Sequence, residues 1–204
     1  MNTGTRTETS ARYAEANDPL TAVLDAVPAD AWGRPSPCEG WAARDVVRHL
    51  IRTQRDFLIG RGFDLGPGTG AGSGVDAAVD GDLDAAVETD PAAAWRAHAA
   101  AVTRLLGRPE VPDTGYDGWF GPTTVGATLT QFYVPDMVVH RWDIAAAVGG
   151  DTRLSEAELD RTEESIESWG DAMYMDGICK PGVEPPPGAS RQVMLLARMG
   201  RQAW

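Results

Sequence analysis

The sequence predicts an all-α protein, and three observations lead to that fold class. Apolar residues recur with the 3.6-residue period of a helix along almost the whole chain. No stretch shows the sustained alternation of apolar and polar residues, rich in β-branched and aromatic types, that is typical of a strand. The 204 residues suffice for one well-buried core and are few for two. We therefore expect a flexible tail over residues 1–17 and a single helical domain over residues 18–204.

The first two helices are expected before residue 60. The first begins at about Thr9, or later if Asp18 and Pro19 mark a break, and ends near Pro28. The Pro- and Gly-rich loop DAWGRPSPCEGW separates it from a second helix over residues 42–59. His49 lies at the margin of the apolar face of this second helix, which comprises Val46, Val47, Leu50, Phe57 and Leu58.

A glycine-rich linker, GPGTGAGSG, and an acidic stretch lead to the third helix. Asp90 is placed to cap that helix, and Pro91 suits its first position. The following segment, PEVPDTGYDGWFGPT, is expected to be a loop because Pro and Gly are frequent in it.

The remaining helices are also indicated by their end signals. A fourth helix is expected over residues 124–148, and the pair Gly149-Gly150 would stop it. Ser155 and Glu158 fit a capping box, so a fifth helix begins there and continues to about Met173. A last short helix is expected within RQVMLLARMG.

The charge balance excludes two classes of partner. The formal net charge is −12, with a pI near 4.6. Binding to nucleic acid or to an anionic membrane draws on clustered Lys and Arg, so neither partner is expected. The first 18 residues have no apolar core of signal-peptide length, and no later run approaches the ~20 apolar residues of a membrane span. We expect a cytoplasmic protein.

The two cysteines, Cys38 and Cys179, lie far apart and form no CxxC pair. This pattern indicates neither a disulfide framework nor a cysteine zinc site, and each is expected to be a reduced, buried thiol. Cys38 could approach a site from the loop before the second helix.

The fourth helix carries a carboxylate and an imidazole on one apolar face. Asp136 and His140 are four residues apart, so both side chains can bind one ion. Of the other histidines, His49 is better placed than His98 to supply a third ligand, and His98 is assigned no role. Such a set would leave coordination positions open for water or substrate. From spacing alone, a hydrogen-bonded Asp-His pair beside an unrelated, half-buried His49 remains an alternative.

Three stretches resemble the actinobacterial metal-binding branch of the DinB-like superfamily, near the N-terminal domain of mycothiol-dependent maleylpyruvate isomerase. They are PSPCEGWAARDVVRHLI, DMVVHRWDIAAAVG and RQVMLLARMGR. The resemblance implies an antiparallel four-helix bundle (DinB-like), here with additional short helices and a C-terminal extension. It also implies one divalent ion held by His49, Asp136 and His140.

The resemblance further implies an activity. We expect a divalent-metal-dependent enzyme that acts on a small molecule, a low-molecular-weight-thiol (mycothiol-type) S-transferase or a thiol-dependent isomerase. The alternatives are a metal-dependent hydrolase or biosynthetic tailoring enzyme that uses metal-bound water, and a non-catalytic metal- or ligand-binding protein. Zinc is the expected metal, with nickel, iron and manganese open. The protein is expected to be a monomer or a homodimer.

Some residues depart from the family pattern or have less defined roles. Tyr133 and Asp143 are candidates for contacts around the ion or the pocket, with core packing and a helix salt bridge as their alternatives. Trp41 is expected to be a core anchor that also orients the second helix. Pro135 directly precedes Asp136 and removes a backbone donor, so we expect a kink in the fourth helix. We expect no counterpart of the isomerase's further C-terminal domain, and therefore do not expect maleylpyruvate isomerisation itself.

Overall fold

The structure, a computed structural model, describes residues 3–65, 77–108, 110–175 and 179–204, with side chains described from residue 8 and, after the first gap, from residue 82. The predicted glycine-rich linker lies outside the described residues. The described part is mostly helical, as predicted. Its helices are α1 (Thr3–Asp25), α2 (Ala43–Ile59), α3 (Ala77–Thr89), α4 (Pro91–Leu106), α5 (Val125–Thr128), α6 (Val134–Val148), α7 (Glu156–Trp169) and α8 (Arg191–Arg198).

Helix α1 is longer than predicted and contains Pro19 in its interior. The boundary expected at residue 17 therefore falls inside a helix, and Tyr13 and Ala16, which precede it, are buried. These two residues share a buried stripe with Leu20 and Leu24 at spacings of three and four residues. The packing of this stripe explains why Pro19 does not end the helix.

The segment predicted to be a loop contains a short β-hairpin, so that prediction was wrong. Strand β1 (Gly115–Gly118) pairs with β2 (Gly121–Thr124) in antiparallel register, with Gly118 opposite Gly121. Tyr116 anchors the hairpin, because its ring lies 6.0 Å from that of Phe57 and its hydroxyl lies 2.6 Å from Thr128 Oγ1. Strands of only four residues, both of which begin with glycine, are too short to produce a detectable alternation.

The single helix predicted over residues 124–148 is interrupted. Between α5 and α6 the chain forms a wider π-helical turn over Leu129–Tyr133, in which the Val134 N–H bonds the Leu129 carbonyl oxygen. Pro135 then falls in the first turn of α6, a position that tolerates a residue without a backbone N–H. The disturbance of the helix near Pro135 is thus a π turn that ends at Tyr133, two residues before the proline. Gly149 ends α6 in a left-handed conformation (φ 74°), as predicted.

The C-terminal helices pack on the outer side of α6. The predicted capping box at Ser155 and Glu158 is confirmed, and α7 continues into a 3-10 turn over Gly170–Tyr174. A second apolar cluster joins α6, α7 and α8, and it contains Val139, Trp142, Leu159, Ile166, Met173, Leu195, Leu196 and Met199. Among the described residues, no helix is long and apolar enough to cross a membrane.

Candidate metal centre

Two elements bring the three predicted ligands together. Helix α6 carries Asp136 and His140 one turn apart, and α2 packs against α6 and carries His49. His140 Nε2 lies 3.2 Å from Asp136 Oδ1, and His49 Nε2 lies 3.5 Å from Asp136 Oδ2. One donor atom from each of the three residues lies within 4.8 Å of the others. Two imidazole nitrogens and a carboxylate at such separations can converge on one ion.

The loop before α2 closes one side of this group. Backbone hydrogen bonds from Ser36 N to the Trp41 carbonyl and from Trp41 N to the Cys38 carbonyl fold the loop into a compact turn. At the end of this loop, the Ala42 N–H donates to the Asp45 carboxylate at 2.8 Å. Helix α2 begins there, although the Ala42 side chain cannot form a capping hydrogen bond. The Trp41 ring is held 4.9 Å from the His49 ring.

Behind His140 lies a second carboxylate, that of Asp143, which is fully buried. The Nδ1 atom of His140 donates to Asp143 Oδ2 at 2.8 Å. Arg201 pairs with the same carboxylate, with Nη2 3.0 Å from Oδ2 and Nε 3.3 Å from Oδ1. The Cys38 thiol donates to Asp143 Oδ2 at 3.2 Å. These contacts fix the orientation of the His140 ring from the side opposite Asp136.

The charges of this group shift its pKa values strongly. Burial alone would raise the pKa of Asp136, but the charges and hydrogen bonds of His140 and His49 outweigh it and hold the pKa well below its usual range. Burial would likewise lower the pKa of His140, but the carboxylates on both sides raise it well above its usual value. For Asp143, hydrogen bonding by His140 and the charge of Arg201 outweigh burial and lower the pKa to about 2.

Comparison with known proteins finds similarity over the part of the chain that contains the candidate metal centre. A model of the family described as the mycothiol maleylpyruvate isomerase N-terminal domain matches residues 13–145, which is more than half of the sequence. The chain belongs to this family. The resemblance seen in the sequence is thereby confirmed, and the family match includes His49, Asp136 and His140.

Two relatives from Mycobacterium tuberculosis (strain ATCC 25618 / H37Rv) illustrate the extent of the similarity. The uncharacterized protein Rv0036c is 30% identical over 144 residues, in a match that covers 65% of this chain and 53% of Rv0036c. The uncharacterized protein Rv0738 is 31% identical over 148 residues, covering 70% of this chain and 68% of Rv0738. The chain thus spans about half the length of Rv0036c. No solved structure gives a significant match.

The other residues considered from the sequence have different environments. Tyr133 is half-buried against the core, with its ring 5.0 Å from that of Phe57, and burial, together with the charge of Asp136, raises its pKa. His98 lies in the core, away from this centre, and its Nε2 donates to Gln54 Oε1 at 3.1 Å. Trp41 is 36% exposed, so its expected place in the core was wrong, and it lies over His49 instead.

Sequence reasoning missed the role of the C-terminal segment. Arg201 reaches the centre from beyond α8, and it is the last residue of the family-like stretch RQVMLLARMGR, for which the sequence predicted no contact with the centre. The same arginine explains why a second donor group, formed by Cys38, His140 and Asp143, is a poor cation site. The guanidinium already supplies the positive charge that a metal ion would bring to Asp143.

Proposed function

We propose that the protein is a divalent-metal-dependent enzyme that acts on a low-molecular-weight thiol such as mycothiol, as an S-transferase or a thiol-dependent isomerase. The observation that carries this proposal is the convergence of His49, Asp136 and His140, backed by a buried carboxylate that orients His140. Family membership supports a thiol as the substrate, since the family is described as the N-terminal domain of mycothiol maleylpyruvate isomerase.

The donor set fits a metal ion better than it fits a simple hydrogen-bonded pair. A ligating histidine needs one nitrogen free of its proton and the other held by an acceptor, and Asp143 supplies that acceptor for Nδ1 of His140. Nε2 of His140 and Nε2 of His49 both face the carboxylate of Asp136. Two histidines and one carboxylate suit zinc, which we propose as the metal, with nickel, iron and manganese as alternatives.

The accessible side of the centre supports binding of a substrate there. The side chains of His49 and Asp136 are 28% and 31% exposed, whereas that of His140 is buried. A divalent ion held by these residues would act as a Lewis acid that lowers the pKa of a thiol or water bound to it. Asp143 and Arg201 would keep His140 in one orientation, and Trp41 would cover one face of His49.

We also infer the fold and setting that the family resemblance implies. Helix α1 contacts both α4 and α6, and α2 contacts both α4 and α6, which supports an antiparallel four-helix bundle of these four helices. We further propose that the protein acts in the cytoplasm, as a monomer or a homodimer, on a small-molecule substrate.

The first test is metal content. Protein purified without added metal is analysed for bound elements, together with the His140→Ala variant and, as a matched control, His98→Gln, which replaces a buried histidine outside the centre. We expect about one equivalent of divalent metal in wild type and in His98→Gln, and loss of that metal in His140→Ala. A folded wild-type protein that binds no added divalent ion would contradict the proposal.

The second test separates the thiol enzyme from its alternatives. The metal-loaded protein is incubated with mycothiol and a chlorinated aromatic electrophile, so that transfer forms a sulfur–carbon bond and releases chloride and a proton. A rate above that of the uncatalysed reaction, lost in His140→Ala, supports the transferase. Metal binding without any such rate, but with hydrolysis of an ester or amide substrate, would favour the hydrolase. Metal binding with neither activity would rule out the transferase and leave the thiol-dependent isomerase or a binding protein.

A further inference from the structure

A cavity of about 370 Å³ lies between the tip of the β-hairpin, the π turn before α6 and the end of α7. Sites for small molecules commonly have volumes of about 300–1,000 Å³. The described residues that line the cavity are uncharged, and none of them is a proposed metal ligand. They are Trp119, Phe120, Phe132, Trp169, Ala172, Met173 and Met175. The cavity is therefore an apolar site with different residues from those of the candidate metal centre.

Three of the aromatic rings that line the cavity lie in nearly parallel planes. The rings of Phe120 and Phe132 have centroids 6.4 Å apart and planes that differ by 1°. The rings of Phe132 and Trp169 have centroids 5.4 Å apart and planes that differ by 9°. Both distances fall within the range of about 4.5–7 Å over which aromatic pairs attract one another. Because the three planes share one orientation, a flat ligand can align with all of them.

The turn of the hairpin carries two large aromatic side chains that do not belong to the core. Trp119 and Phe120 are 79% and 65% exposed, and they lie between the paired residues Gly118 and Gly121. Two-residue hairpin turns favour small and polar residues such as Gly, Asn and Asp. Large apolar side chains that are exposed together mark a ligand-binding groove or an interaction surface. The stability of the hairpin therefore does not explain these two residues, whereas a ligand in the cavity does.

The other walls of the cavity come from the π turn and from the 3-10 turn after α7. Phe132 lies in the π turn Leu129–Tyr133, and such turns within helices occur frequently at functional sites. Met173 is only 1% exposed, and its carbonyl oxygen accepts a hydrogen bond from the Cys179 N–H at 2.9 Å. Methionine side chains adapt to the shape of an apolar neighbour. The cavity thus combines aligned aromatic rings with a buried thioether that can adjust to a ligand.

We propose that this cavity binds a small, uncharged, planar aromatic compound, aligned with the rings of Phe120, Phe132 and Trp169. The parallel rings select a flat ligand. The described lining residues offer no charge, so they select an uncharged ligand, because a buried charge needs a partner. Binding requires neither a bound metal ion nor the proposed activity, so the two proposals can fail separately.

Other occupants fit this surface less well. The net charge of −12 opposes contact with an anionic bilayer. A stable protein interface buries about 800 Å² on each partner and has a polar rim. The feature found here is instead a concavity of the size that holds a small molecule.

The test titrates the full-length protein with N-phenylnaphthylamine, an uncharged dye whose fluorescence rises in apolar sites. We expect saturable binding at one site per chain. The dissociation constant should be the same with metal bound and after chelation, because no described lining residue is a proposed ligand. Naphthol should displace the dye about ten times more effectively than its saturated analogue decalol, which has no planar ring.

Two variants test the site, with a third as control. Phe120→Ala removes one of the parallel rings from an exposed position and should weaken dye binding about tenfold. Ala172→Leu fills part of the cavity and should weaken binding at least as much. Trp204→Ala removes an aromatic side chain that is 55% exposed but does not line the cavity, so the affinity should not change. Circular dichroism shows whether each variant is folded.

Several results would overturn the proposal. Dye fluorescence that does not saturate, or an equal affinity in wild type, Phe120→Ala and Ala172→Leu, would show that the cavity is not the binding site. Equal displacement by naphthol and decalol would exclude selection of an aromatic ligand. A homodimer that dissociates in Phe120→Ala, as measured by analytical ultracentrifugation, would show that a second copy of the chain covers this surface instead.

Discussion

His140 and His98 are both buried on helices, 5% and 3% exposed, yet their surroundings give them opposite acid–base behaviour. His140 lies between the carboxylates of Asp136 and Asp143, which raise its pKa despite burial. His98 contacts the neutral amide of Gln54, and burial, together with the charge of Arg55, lowers its pKa to about 3. Without a metal ion, the surroundings of His140 therefore favour its charged form, and those of His98 favour its neutral form.

This contrast teaches that burial alone does not mark a functional histidine. Both imidazoles have lost most of their contact with water, and desolvation disfavours the charged form of each. Carboxylates on both sides make the difference, because they attract a cation to the position between them. That cation is a proton on His140 or, in our proposal, a metal ion that replaces the proton on Nε2.

The largest expected effect separates the two histidines directly. Removing the His140 side chain should weaken the binding of a divalent ion by about 1000-fold or more, since one of three protein ligands is lost. His98→Gln should leave the affinity unchanged. Competition against a fluorescent zinc chelator measures both dissociation constants. Equal affinities in wild type and His140→Ala would remove the basis for treating His140 as a ligand.

A smaller effect is expected when the support of His140 is weakened. Asp143→Asn keeps the shape of the side chain but loses the charge that pairs with Arg201 and holds Nδ1 of His140. Loss of such a supporting carboxylate typically costs 10- to 100-fold in metal affinity, or about 1.4 to 2.7 kcal/mol. The same chelator competition applies, with urea unfolding as a check that the buried arginine has not unfolded the protein. An unchanged affinity would show that Asp143 does not orient the ligand.

The sequence predicted that His49, Asp136 and His140 lie close together, whereas it did not predict the contact of Arg201. Helical spacing placed Asp136 and His140 on one face, because the 3.6-residue period survives the π turn that lies before them. Pro135 signalled that turn, although not its form. The contact of Arg201 with Asp143 joins residues 58 positions apart, and no local pattern specifies such a pairing. The hairpin was missed for a related reason, since its short strands are defined by packing of Tyr116 on Phe57.

The comparison also predicts that His98 and metal-free His140 make the free energy of unfolding depend on pH in opposite directions. His98 has a folded-state pKa of about 3 and an ordinary unfolded value of about 6.5, so the unfolded chain binds the proton more tightly. Its contribution to stability is complete above pH 6.5 and is lost as pH falls. For metal-free His140, whose folded-state pKa is raised, the contribution is present below about pH 6.5 and is lost as pH rises through the folded value.

Urea unfolding at pH 7.5 and pH 5.0 measures the effect of His98. Between these values, wild type should lose about 2 kcal/mol more of its free energy of unfolding than His98→Gln, which has no titrating group at that position. Identical losses in the two proteins would mean that His98 is not held neutral by its surroundings.

The smallest effect is expected in the neutral cluster around His98. Gln54 Oε1 accepts hydrogen bonds from His98 Nε2 and from the Tyr13 hydroxyl, both at 3.1 Å. In Tyr13→Phe the oxygen keeps one donor, so no buried acceptor is left without a partner, and the cost should be about 1 kcal/mol of unfolding free energy at pH 7.5. Metal affinity should not change. A loss several times larger would show that the Tyr13 hydroxyl organises the cluster around His98, as Asp143 is proposed to organise the metal centre. The surroundings of His98 and His140 would then differ less than the opposite shifts of their pKa values indicate.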